Sequence, residues 1–171
     1  MKNLVLVGFM GSGKSSVARR VAPQLEFEMI DSDSLIERRA GLSISQIFET
    51  RGEEHFRRLE EQIMTELADR NRLVIATGGG AVLSAVNWAN WRRSAVVIAL
   101  DVDSETAFER TRHHQHRPLL QGEDPLAKIQ HLLAQREDFY SRADARVDTV
   151  GRTVEQVARD VLDLYERRVA D

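Results

Sequence analysis

Residues 8–15 read Gly8-Phe9-Met10-Gly11-Ser12-Gly13-Lys14-Ser15, a complete G-x-x-x-x-G-K-[ST] loop. An apolar run, Leu4 to Val7, leads into it, and a helical pattern with Val17, Val21 and Leu25 on one face leads out. This strand–loop–helix unit constrains the fold more than any other feature of the chain. A buried strand must deliver the chain to a tight turn whose N–H groups point inward, and the next helix adds its positive end. Such a cradle suits a polyphosphate. Lys14 would neutralise the outer phosphates and the Ser15 hydroxyl would face Mg²⁺.

The rest of the chain supplies the sheet that this unit needs. Short apolar runs alternate with amphipathic segments, the pattern of a parallel α/β fold. The expected strands are Asn3–Val7, Phe27–Ile30, Leu73–Thr77, Ala95–Leu100 and Ala145–Asp148. Helices are expected over Lys14–Leu25, from about Glu53 to Arg70 with Phe56, Leu59, Ile63 and Leu67 inward, and after Thr153 with Val154, Val157, Val161 and Leu164 inward. Ser43 with Gln46, and Thr153 with Gln156, have the spacing of capping boxes. At 171 residues, one domain over 1–171 is expected.

Composition excludes several functions. The chain has no cysteine, which removes disulfide frameworks, thiolate metal sites and cysteine nucleophiles, and fits a reducing cytosol. No apolar run approaches the roughly 18 residues of a membrane span, so a cytoplasmic location is expected. A net charge of −3 offers no global field for nucleic acid. Lysine occurs only at 2, 14 and 128, so Lys14 is a rare residue type placed where its chemistry is wanted.

Two apolar runs end in aspartate, at Asp31-Ser32-Asp33 and at Asp101. Asp101 lies directly before Val102-Asp103-Ser104, where a helix start wants acidic and capping residues. Asp31 and Asp33 are preferred as site residues, because strands adjacent to the first end beside the phosphate loop. One would face the metal and the other an acceptor hydroxyl; a pair of helix caps is the alternative. Gly78-Gly79-Gly80 ends a strand, where a side-chain-free backbone can approach an anion, or merely turn. Arg57 can pair with Glu60 or Glu61, as a held guanidinium fork or as a surface salt bridge. Arg117 and Arg136 are ambiguous alone. The stretch His113 to Asp124 has no usable period and reads as a lid of about 112–124. No role is assigned to His113, His114 or His116.

Taken together, the phosphate loop, Asp31-Ser32-Asp33, Phe56-Arg57 with Glu60, Gly78-Gly79-Gly80, Arg117-Pro118-Leu119-Leu120 and Arg136 resemble the shikimate kinase family in order and spacing. The resemblance implies a three-layer α-β-α fold of the nucleoside monophosphate kinase type, with a five-stranded parallel sheet ordered 2-3-1-4-5 and a lid. It implies ATP-dependent phosphorylation of the shikimate 3-hydroxyl, a step of chorismate and aromatic amino acid biosynthesis. Residue by residue, Gly11, Ser12, Gly13, Lys14, Ser15 and Ser16 would wrap the ATP phosphates. Ser15, and Asp31 through water, would hold one Mg²⁺. Asp33 would bind shikimate hydroxyls and act on the 3-OH. Arg57, Arg136, Gly79 and Gly80 would hold the carboxylate, with Arg117 swinging to the transferring phosphate. Arg110 would stack on adenine. Arg152 would approach the nucleotide, although a proline common beyond it in the family is missing from Thr149-Val150-Gly151-Arg152-Thr153. The expected partners are shikimate and ATP, with no nucleic acid, no membrane and a monomeric chain. The alternative is another small-metabolite kinase of this fold, such as a gluconate kinase. A GTPase switch would need an Asn-Lys-x-Asp motif, which the chain lacks.

Overall fold

The computed structural model of this chain describes residues 1–113 and 122–170. Arg117, His114, His116 and Pro118-Leu119-Leu120 therefore lie outside the described residues. The elements run β1 (Asn3–Gly8), α1 (Lys14–Leu25), β2 (Glu28–Asp31), α2 (Ser32–Ala40), α3 (Ile44–Ala68), β3 (Leu73–Ala76) and a 3₁₀ turn (Ala81–Leu83). They continue with α4 (Ala85–Ser94), β4 (Ala95–Asp101), α5 (Ser104–Thr111), α6 (Pro125–Tyr140), β5 (Ala145–Asp148) and α7 (Val154–Ala170).

The five strands form one sheet in the order β2-β3-β1-β4-β5, and every pairing is parallel. Strand alternation divides the core in two. Leu4 and Leu6 of β1, with Val96 and Ile98 of β4, pack beneath α1 and α7 against Val17, Val21, Val157 and Val161. Val5 and Val7, with Val97 and Ala99, pack on the other face against Phe56, Ile63, Trp88 and Ile129. Both faces are thus covered, which is why the inner strands β1, β3 and β4 read as apolar runs. The result is the expected three-layer α-β-α arrangement.

Both capping boxes are formed. Ser43 Oγ accepts from Gln46 N–H at 3.1 Å and Gln46 Oε1 accepts from Ser43 N–H at 2.9 Å. The Thr153–Gln156 pair repeats this at 3.2 and 2.9 Å. The first box opens α3 well before Glu53. Gly52, at φ 85° and ψ 167°, breaks the helix into two limbs, and only the second matches the expected span. Strand β2 starts at Glu28 rather than Phe27, because Phe27 N–H closes the end of α1 on Ala22 O at 2.9 Å. Helix α4 has no counterpart in the sequence reading.

The sheet corrects one argument. β1 is hydrogen-bonded to β3 and β4, so β2 is not its neighbour and β4 is. Strand adjacency therefore favours Asp101, yet Arg146 takes both Asp101 oxygens, with Nη2 at 2.8 Å and Nε at 2.9 Å. Asp103 is the actual cap of α5, accepting from Thr106 N–H at 2.7 Å. Among the described residues no helix is long and apolar enough to cross a membrane.

Candidate active site

β1 ends at the middle of the sheet, where neighbouring strands lead off to opposite sides, and its loop opens at that crevice. Gly8 has to be glycine. A Cβ there would lie 2.5 Å from Leu100 O of the adjoining strand, at a φ of 150°. Gly13 precedes α1 in a left-handed conformation, at φ 90°, so the loop turns directly into the helix N-terminus. Lys14 is buried, and its Nζ donates to Gly8 O at 2.7 Å and Phe9 O at 3.0 Å. The ammonium is thereby held at the loop.

A hollow of about 360 Å³ opens over this loop, lined by Lys14, Ser15, Asp31, Asp33 and Gly79 among others. Ser15 Oγ donates to Asp31 Oδ2 at 2.6 Å across it. Asp31 also caps α2, its Oδ1 accepting from Ser34 N–H at 3.1 Å. The capping and metal-facing readings are thus compatible, since the two carboxylate oxygens divide them. Asp33 sits in the first turn of α2 with Oδ1 turned toward Gly78, 2.6 Å from where a Cβ would lie there. Ser32, also of α2, accepts the Gly78 N–H at 3.1 Å and ties the glycine turn to the aspartates.

Arg57 and Arg136 arrive from α3 and α6. Arg57 Nη1 donates to buried Glu60 at 3.0 Å, and its guanidinium lies against Gly80 and near the Phe56 ring. The guanidinium is held from both sides, since Nη2 also pairs with exposed Glu53 at 3.4 Å. Arg136 is 4% exposed, donates from Nη1 to Gly79 O at 3.2 Å and lies over the Phe9 ring. Two cations of fixed orientation therefore converge on a turn without side chains, the geometry that binds a planar anion. Replacing Gly80 by alanine would put Cβ 2.7 Å from Arg57 Cζ and closer still to Nη2. Because Arg57 is long and can swing aside, Gly80→Ala is expected to weaken acceptor binding while the melting temperature stays near wild type. Paired calorimetric titrations and melts check this.

Glu60 is the site's unusual acid. Burial pushes its carboxyl up from 4.5 to about 7, Arg57 opposes this, and Asp33 and Glu61 add to it. Its Oε2 has no hydrogen-bond partner among the described residues. The folded chain holds this proton more tightly than the unfolded chain. The associated stability is complete below about pH 4.5 and is lost as pH rises through about 7. Between pH 5 and 8 the wild type should lose roughly 3 kcal/mol relative to Glu60→Gln. Denaturant titrations of both proteins across that range test it, and parallel stability profiles would refute it.

Two further arginines are placed by the resemblance at the nucleotide. Arg110 donates from Nη1 to Gly11 O at 3.0 Å and from Nη2 to Thr149 O at 3.1 Å, joining the phosphate loop to the β5–α7 turn. It borders a second hollow of about 340 Å³ with Ser16, Thr149, Arg152 and Val154. Arg152 is drawn toward α7, with Nη2 donating to Asp160 Oδ2 at 2.6 Å. The sequence reading missed the supports of the glycine turn. These are Tyr140 and Ser32, together with Asn87 and Trp88 of α4, whose side chains donate to Ala81 O at 2.9 Å and Val82 O at 2.7 Å. No motif announces them: Ser32 and Tyr140 meet the turn from distant parts of the chain, and Asn87 and Trp88 bond to main-chain carbonyls six residues back, which leaves no residue-type signal. Tyr140 alone left a signal, falling four residues after Arg136 on the same helix face.

The family model for shikimate kinase matches residues 10–166. A shikimate kinase from Caldanaerobacter subterraneus subsp. tengcongensis is 44% identical over 96% of this chain and 96% of its own. The solved structure of "Shikimate kinase from Acinetobacter baumannii in complex with shikimate" superposes with a TM-score of 0.95 at 37% identity, covering 100% of this chain and 96% of that one. A gluconokinase from Sinorhizobium meliloti shares the fold alone, with a TM-score of 0.67 and 19% identity over 99% of this chain and 94% of that one.

Proposed function

We propose that this chain, which belongs to the shikimate kinase family, transfers the γ-phosphoryl group of ATP to the 3-hydroxyl of shikimate, giving shikimate 3-phosphate and ADP. The observation that carries this reading is the convergence of Arg57 and Arg136 on Gly79-Gly80, beside a phosphate loop and Asp33. One side of the hollow suits a polyphosphate and the other a small hydroxylated acid. The reaction is a step of chorismate and aromatic amino acid biosynthesis.

The loop N–H groups of Gly11 to Ser16 wrap the phosphates, and the Lys14 ammonium, already at the loop, neutralises the charge that develops on the transferring oxygens. Arg57 and Arg136 grip the carboxylate, with N–H groups at Gly79 and Gly80 completing the cradle. This fixes the ring so that its 3-hydroxyl faces the donor. Asp33 orients that hydroxyl and accepts its proton as the oxygen attacks phosphorus. Ser15 Oγ and Asp31 Oδ2 are hard oxygen donors at the mouth of the hollow and fit Mg²⁺, which takes few protein ligands. Bound there, Ser15 directly and Asp31 through water, the ion would supply charge neutralisation to the phosphates. In this reading Arg110, at the second hollow, would stack on adenine and Arg152 would approach the nucleotide there, with Arg117 assigned to the transferring phosphate. The whole of 1–171 acts as one monomeric cytoplasmic domain with a lid at about 112–124 and no nucleic-acid partner.

An ADP-release assay tests the assignment, with shikimate, quinate, gluconate and nucleoside monophosphates offered separately with Mg²⁺ and ATP. Shikimate alone is expected to drive rapid release. Absence of shikimate-dependent release refutes the reading, and release driven by gluconate would favour the alternative.

A further inference from the structure

Tyr140 ends α6 with its side chain inside the protein, only 3% exposed, and its hydroxyl donates to Gly79 O at 3.3 Å. Arg136 Nη1 donates to the same carbonyl at 3.2 Å, so one backbone oxygen receives a phenol and a guanidinium. Burial pushes the phenol up to about 12, which keeps the hydroxyl protonated and donating. A trans peptide is planar, with its C=O and N–H pointing in opposite directions. Fixing Gly79 O therefore fixes where the Gly80 N–H points. It also fixes the line along which Arg136 reaches the turn. Clamps at Gly78 N–H, Ala81 O and Val82 O hold the turn on either side of this peptide.

We propose that Tyr140 is a positioning residue for acceptor recognition, orienting both the Gly79–Gly80 peptide plane and Arg136 for the substrate carboxylate. A glycine peptide lacks side chains to set its own rotation. Arg136 reaches this carbonyl through Nη1, which leaves its other N–H donors for a carboxylate. The buried phenol holds the same carbonyl from a second direction, so the peptide plane and the guanidinium are set together. Tyr140 touches neither substrate in this role. It acts through the turn.

The inference rests on the reading of Gly79-Gly80 as the shikimate side of the site. Tyr140→Phe keeps the ring and its packing and removes only the hydroxyl. The expected result is a KM for shikimate raised about five-fold, the equivalent of one neutral hydrogen bond. The KM for ATP, kcat and the melting temperature should stay near wild type. Calorimetric titration with shikimate should show the same loss in Kd. An unchanged shikimate KM overturns the proposal. So does a parallel rise in both KM values or a fall in kcat and melting temperature together, which is what a purely structural role produces. If the wild type itself does not turn over shikimate, the functional reading has failed instead.

Discussion

Asp33→Asn is expected to abolish shikimate phosphorylation while leaving the fold and ATP binding close to wild type. Asparagine fills the volume that Asp33 occupies beside Gly78, so the backbone around the glycine turn has no reason to move. The amide cannot accept the proton of the 3-hydroxyl, and loss of general-base assistance typically costs about 10²- to 10⁴-fold in rate. Two smaller effects follow from the position. An acidic residue in the first turn of α2 favours the helix by about 0.3–1 kcal/mol, so the melting temperature should fall slightly. Asp33 is also one of the charges that push Glu60 up, so the variant should titrate Glu60 at lower pH. Steady-state kcat, calorimetric ATP binding and a thermal melt together test this. Turnover above about a tenth of wild type removes Asp33 from the proton-accepting role.

Arg136→Ala and Arg57→Ala should each weaken shikimate binding by about 2–5 kcal/mol, tens- to thousands-fold in Kd, with ATP binding unaffected. Both guanidiniums lie in shielded surroundings where a carboxylate left without a partner is costly. Arg136 is the more deeply buried and should lie at the upper end. Its removal also leaves the Gly79 carbonyl to Tyr140 alone. Arg57→Ala takes away the charge that opposes the upward push on Glu60. Glu60 then stays protonated at neutral pH, so the core keeps a neutral acid and the fold survives. Equal losses of shikimate and ATP affinity would contradict these assignments.

Much of the fold was legible because the inner strands β1, β3 and β4 are buried on both faces, which writes them as apolar runs. Caps were legible for a related reason: Ser43 with Gln46 and Thr153 with Gln156 satisfy helix ends with atoms three residues away. Helix α4 was not legible. Its inward residues include Asn87, Trp88 and Trp91, and the polar one is buried because its amide holds Ala81 O. Adjacency to β1 does not single out Asp31, since β2 is not its neighbour. What separates the two aspartates is that Arg146 occupies Asp101, whereas Asp31 reaches Ser15. Residues 114–121 of the expected lid, Arg117 among them, lie outside the described residues.

By itself the sequence determined the donor side of this protein. Gly8 to Ser15 is a local device, a strand, a turn and a helix end in one stretch of chain, and its chemistry follows from neighbours a few residues apart. The acceptor side is not local. Arg57, Gly80, Arg136 and Asp33 are spread over 104 residues, and each has an ordinary surface or capping role open to it at its own spacing. Only the packing of α2, α3 and α6 around one glycine turn brings these residues together. It buries Arg136 and half-buries Arg57 and Asp33 beside a backbone without side chains, where a charge needs partners and an incoming anion would supply one.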